Sequence, residues 1–144
     1  MAITSTPTVT NVKPAAITAT GLNSIQTKKV TFAVPTSTSS DGYYTGDTIS
    51  LRNVVPVGCA VTGLWYKVTT TQGATLTFAA NLDGQTAFVA ATSLTATVPT
   101  ALTVVPANSF ATTGNINLVL AGTTVGCTAA AITLYMTLAA FGPV

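Results

Sequence analysis

The chain of 144 residues contains no histidine and no glutamate. Its charged side chains are Lys13, Lys28, Lys29, Asp41, Asp47, Arg52, Lys67 and Asp83, only 6% of the residues, where about 25% is usual. General acid–base catalysis needs groups that titrate near the working pH, and the side chain best suited to that work is missing. The aspartates all sit in turn-like contexts, Asp41-Gly42, Gly46-Asp47 and Asp83-Gly84. The first two lack the spacing and the number of oxygen ligands that a calcium loop requires. Cys59 and Cys127 are too few to hold a metal without histidine. There is neither a GxSxG elbow nor a glycine loop that would cradle phosphate. The sequence therefore reads as a protein that is not an enzyme and needs no cofactor.

A second absence is local. From Gly84 to the end of the chain, 61 residues, no side chain is charged. Charge keeps proteins apart and blunts exposed strand edges, so an uncharged β half points to a surface covered by a partner. Nucleic acid is an unsuitable partner, because Lys28-Lys29 and a net charge of +2 are too little basic surface. The mean hydropathy is +0.58, yet Thr, Gly, Pro or Asn interrupts every apolar run well short of the roughly 20 residues a spanning helix needs. An outer-membrane barrel should show aromatic girdles and a secretion signal, and Met1 to Ser5 has neither a charged nor an apolar region of that kind. The expectation is no membrane, and synthesis in a cytoplasm.

What the chain has in abundance is threonine, 31 residues, and with valine it supplies the β-branched stiffness that favours a pleated sheet. Residues 1–24 carry Pro7 and Pro14 and an aperiodic apolar set, Ile3, Val9, Val12, Ile17 and Leu22. This reads as an extended N-terminal arm that lies on something. Residues 25–144 alternate. Val30, Phe32 and Val34 share one face, as do Ile49 and Leu51, then Leu64, Tyr66 and Val68 opposite Trp65 and Lys67.

The clearest alternation is Leu76, Phe78, Ala80 and Leu82, followed by Asp83-Gly84, a strong hairpin signal, with Ala87 to Ala91 returning beside it. Two short runs, Leu94 to Val98 and Leu102 to Val105, are cut by Pro99 and Pro106 and suit a broken or edge strand. Ile116, Leu118 and Leu120, and then Ile132, Leu134, Met136 and Leu138, complete about eight strands without helical patterning. The expected fold is an all-β, antiparallel, jelly-roll-like sandwich. In that topology Cys59 and Cys127 fall at opposite ends, so no disulfide joins them.

Tyr43, Tyr44, Trp65 and Tyr66 are candidates for an aromatic sugar platform; Trp65 and Tyr66 serve equally as anchors of a core or an interface.

The small Thr- and Pro-rich arm (1–24) and the nearly charge-free Thr/Ala/Val sandwich resemble, in style and composition, the decoration or cement proteins on the heads of tailed bacteriophages. The resemblance implies a homo-oligomer, with a trimer favoured, on the capsid exterior of the virion. There it would hold junctions between major capsid proteins together. The shell contacts implied are the arm, Ile3, Val9, Val12, Lys13, Ile17 and Leu22, with Lys28 and Lys29 as possible charge contacts. Residues 92–130 would supply contacts between subunits. Two other readings remain open: a receptor- or carbohydrate-binding head of a phage fibre using Tyr43, Tyr44 and Trp65, and a self-assembling shell or appendage subunit.

Overall fold

The computed structural model describes residues 4–5, 24–34, 36, 46–73, 75–83, 85–109, 111, 115–121 and 127–140. Its strands are β1 (Thr4–Ser5), β2 (Ser24–Val34), β3 (Thr48–Leu51), β4 (Cys59–Val68), β5 (Thr77–Leu82), β6 (Val89–Ser93), β7 (Thr100–Leu102), β8 (Ile116–Ala121) and β9 (Ala130–Ala140). A single 3-10 turn, Pro106–Asn108, interrupts the β structure among the described residues.

Two sheets form, in the order β1-β3-β8-β5-β6 and β2-β9-β4-β7. Setting aside the short β1, eight strands are shared equally between the sheets, and all their pairings are antiparallel. This is the jelly-roll arrangement that the spacing predicts. β1 adds to it as a parallel strand on the edge beside β3.

Alternation decides which side chains fill the space between the sheets. Val30, Phe32, Ile49, Leu51, Leu64, Tyr66, Phe78, Leu82, Ile116, Leu118, Leu134 and Met136 are all at most 2% exposed, and together they form one core. Tyr66 and Phe78 meet across it edge to face, with ring centroids 5.3 Å apart. Such contacts add to simple burial of area.

The alternation of β4 is broken once. Its register against β9 shifts between Val61 and Gly63, so Val61 and Leu64 both point inward while Thr62 is exposed. A bulge of this kind adds one residue and reverses the parity of what precedes it. Cys59 and Val61 are buried for this reason, although strict alternation would have placed them on the Trp65 side.

The chain turns after Leu82, where the Gln85 amide donates to the Leu82 carbonyl at 2.7 Å; Gly84 lies outside the described residues. The return strand starts later than the sequence suggests, at Val89, with Ala80 opposite Val89 and Thr77 opposite Ser93. The end of β5 pairs with β8 instead, Leu82 against Ile116, and Phe88 turns into the core before β6 begins. The run Leu94 to Val98 is no strand; Leu94 is buried, and its amide and carbonyl bond to Leu76 and Gln72. β7, between Pro99 and Pro106, occupies a sheet edge as those prolines imply, and β6 lies at an edge of the other sheet.

Cys59 faces Ala140 across the β4–β9 ladder, whereas Cys127 precedes Ala130 at the other end of β9. The length of that strand, roughly 34 Å for ten residue steps, separates them; no disulfide joins them, and both are buried.

Candidate binding face

The four-stranded sheet has one face in the core and one outside. On the outside, register places Lys29 opposite Tyr135, Tyr135 opposite Trp65, and Trp65 opposite Ala101, forming one row across all four strands. The neighbouring row is Thr31, Thr133 and Lys67, and the one on the other side is Thr27, Thr137 and Gly63. Two aromatics thus lie side by side in a field of threonine. The ammonium group of Lys29 stands 5.9 Å from the centroid of the Tyr135 ring, within reach of a cation–π attraction.

Gly63 sets the pose of the indole. A Cβ at this position would lie 3.0 Å from two carbons of the Trp65 six-membered ring and 2.7 Å from Thr137 Oγ1. The ring therefore lies along β4 in space that only glycine leaves free, and Trp65 still exposes 37% of its surface. The hydroxyls around it are ordered by one another: Thr62 Oγ1 is 3.0 Å from Thr137 Oγ1, and Thr31 Oγ1 is 3.1 Å from Thr133 Oγ1.

The two adjacent lysines have opposite fates because strand neighbours face opposite ways. Lys29 is exposed. Lys28 shares the inner face with Val30 and Phe32, is 8% exposed, and donates from Nζ to the carbonyl of Val54. Burial pushes its pKa below the ordinary lysine value, with the nearby Cys59 thiol acting weakly in the other direction. Of this pair, Lys29 alone presents its charge to the outer surface.

The arm candidates Ile3, Val9, Val12, Lys13, Ile17 and Leu22, and the tyrosines Tyr43 and Tyr44, lie outside the described residues. Trp65 is on the outer face, but Tyr66 is a core side chain, 2% exposed. Tyr135 takes its place as Trp65's neighbour. Its outward direction was readable from the inward set Ile132, Leu134 and Met136, but its partner was not, since pairing depends on the register of β4 against β9.

The outer face of the other sheet is polar in a different way. Ser50, Asn117 and Asn81 align across β3, β8 and β5; Ser50 donates to Asn117 at 2.7 Å, and the Asn117 amide donates to Asn81 and Asp83 at 3.3 and 3.4 Å. Asn115 reaches the second Asp83 oxygen at 3.2 Å. The carboxylate is thereby tied into a side-chain ladder. Among the described residues, no three of His, Cys, Asp or Glu come together as metal ligands. Cys59 is held above its ordinary pKa chiefly by burial. Cys127 is pushed up to about 11 by burial and, secondly, by Asp47, so both thiols favour the unreactive protonated form.

No protein-family model matches the sequence, and no curated protein matches it. Its fold does match a solved one. A chain described as "Cyanophage Pam1 capsid asymmetric unit" superposes with a TM-score of 0.60 at 15% identity, over 91% of this chain and 97% of that one. The two chains are therefore of nearly equal length and share one fold over the matched spans.

Proposed function

We propose that this chain is a structural protein of a phage virion: an auxiliary protein of the capsid exterior that decorates or cements the head by binding across junctions of the major capsid protein. The observation that carries the reading is the shared fold over nearly the whole of a similarly short chain in a cyanophage capsid asymmetric unit. The uncharged half supports it, because a β surface without charge is tolerable where another subunit covers it.

Val98 and Val105, 66% and 41% exposed, flank the edge strand β7 in this uncharged half and would be subunit contacts of a homo-oligomer, with a trimer favoured. The arm, residues 1–24, would lie on the shell. Several modest contacts made together by a symmetric oligomer amount to firm attachment. A non-enzymatic role fits the lack of histidine, the hydrogen-bonded Asp83 and the suppressed thiols.

The test compares particles assembled with and without the protein, synthesised in the host cytoplasm. Bound protein should raise the temperature at which heads release their DNA, and deleting residues 1–24 should abolish attachment while leaving the oligomer intact in light scattering. Heads equally stable without the protein, or a truncated chain that still attaches, would refute the cement reading.

A further inference from the structure

We propose that the outer face of the β2-β9-β4-β7 sheet binds an acidic polysaccharide, with Trp65 as its stacking surface. The site unites three features: the laid-down indole over Gly63, Tyr135 beside it in register, and two lysines with no carboxylate among the described residues of that face. This inference stands apart from the capsid role, since an exterior protein can bind a glycan whichever way it is attached.

Each feature has a chemical meaning. A pyranose ring has a C–H face that packs on an aromatic ring and a rim of hydroxyls that needs donors and acceptors. Trp65 and Tyr135 are amphipathic rings suited to such a partner. Threonines 27, 31, 62 and 137 surround them on the same face, offering hydroxyls that both donate and accept. In the two rows beside the aromatic pair the outward residues are threonine, lysine and glycine, and the exposed aliphatic side chain of this face, Ile25, lies one row further out on β2. A protein partner would more naturally be met by aliphatic or methionine side chains in the centre of the contact.

Charge selects the class of sugar. Lys29 lies beyond Tyr135 and Lys67 two residues along β4 from Trp65. The described carboxylates are elsewhere: Asp47 is buried beside β3, and Asp83 is held in the ladder of the other sheet. From strand spacing, the two lysine Cα atoms are roughly 12 Å apart, Lys29 at the end of the aromatic row beyond Tyr135 and Lys67 in the next row beside Trp65. A chain bearing a carboxylate on each sugar meets both while one ring stacks on the indole.

Trp65 is the only tryptophan in the chain, so its fluorescence reports on this face alone. Titrating the intact protein with oligogalacturonate should change that emission saturably. Maltoheptaose, uncharged, should bind more weakly, and added salt should weaken the acidic ligand. Trp65→Leu, read by calorimetry, should lose about tenfold in affinity or more; Lys67→Gln, a surface change that keeps the fold, should erase the preference for acidic over neutral sugar. Thermal melts establish that each variant is folded. The proposal fails if no saturable response occurs, if Trp65→Leu binds as the natural chain does, or if poly-aspartate displaces the sugar as effectively as oligogalacturonate. It fails equally if attachment to heads shields Trp65 from acrylamide quenching, for the occupant is then the shell protein.

Discussion

The hydroxyl of Tyr66, on β4 of one sheet, donates to the carbonyl of Ser93, on β6 of the other, at 2.5 Å. Together with the bridge between Val89 and Val104, this bond ties one edge of the sandwich together with a direction. Tyr66→Phe keeps the ring against Phe78 and removes only the bond. The expected loss is about 1–2 kcal/mol, seen as a lower urea midpoint with unchanged slope; no loss would mean that water replaces the hydroxyl.

Gly63 is required by its neighbours. A methyl group there meets Thr137 Oγ1 at 2.7 Å and the indole at 3.0 Å, and Thr137 is itself hydrogen bonded to Thr62. Gly63→Ala should destabilise the fold by about 1–3 kcal/mol and shift Trp65 emission as the ring is displaced. An unchanged spectrum and melting temperature would show that the ring moves freely.

Lys28 couples stability to pH. Its pKa is lowered in the folded state, so the unfolded chain binds the proton more tightly. Stability should rise as pH increases through the window between the lowered value and 10.5, the ordinary one. Lys28→Met should remove this rise, measured by urea unfolding at successive pH values up to 10.5, and should be neutral or stabilising at pH 7, because a buried charge is replaced by an apolar side chain of similar length. A Lys28→Met protein with the same slope would mean the lysine is hydrated.

Cys127 works in the opposite direction. Its folded pKa of about 11 lies above the ordinary 9.0, so the folded state keeps a proton that the unfolded chain releases. The contribution is fully present below pH 9 and is lost as pH rises towards 11, on the order of 2–3 kcal/mol. Cys127→Ala should flatten that alkaline loss in thermal melts; an unaltered alkaline limb would assign it to other groups.

The uncharged half gives a prediction about assembly. Val98→Lys and Val105→Lys place charge on the exposed margin of β7 and leave the core untouched. Light scattering should find monomers that melt cooperatively. Oligomers of unchanged size would move the subunit contact elsewhere.

By itself the sequence determined most of the strands, though not the one it offered over Leu94 to Val98, and with them the inward sets and the jelly-roll class, because a period of two and proline or glycine breaks are local properties that the backbone expresses directly. Val30, Phe32, Leu64, Phe78, Leu118 and Leu134 were legible as core on those grounds alone. It also marked Trp65 as outward. Tertiary structure decided everything that depends on register. The bulge at Thr62 reverses the parity of β4, so Cys59 and Val61 turn inward. The longer connection after Asp83 follows from Phe88 entering the core. Lys28 is buried because it shares a face with Val30, a consequence that its doubled neighbour Lys29 conceals. The partnership of Trp65 with Tyr135 joins residues 70 positions apart, and no local pattern can report it, since only the hydrogen-bonded alignment of β4 with β9 brings the two rings into one row.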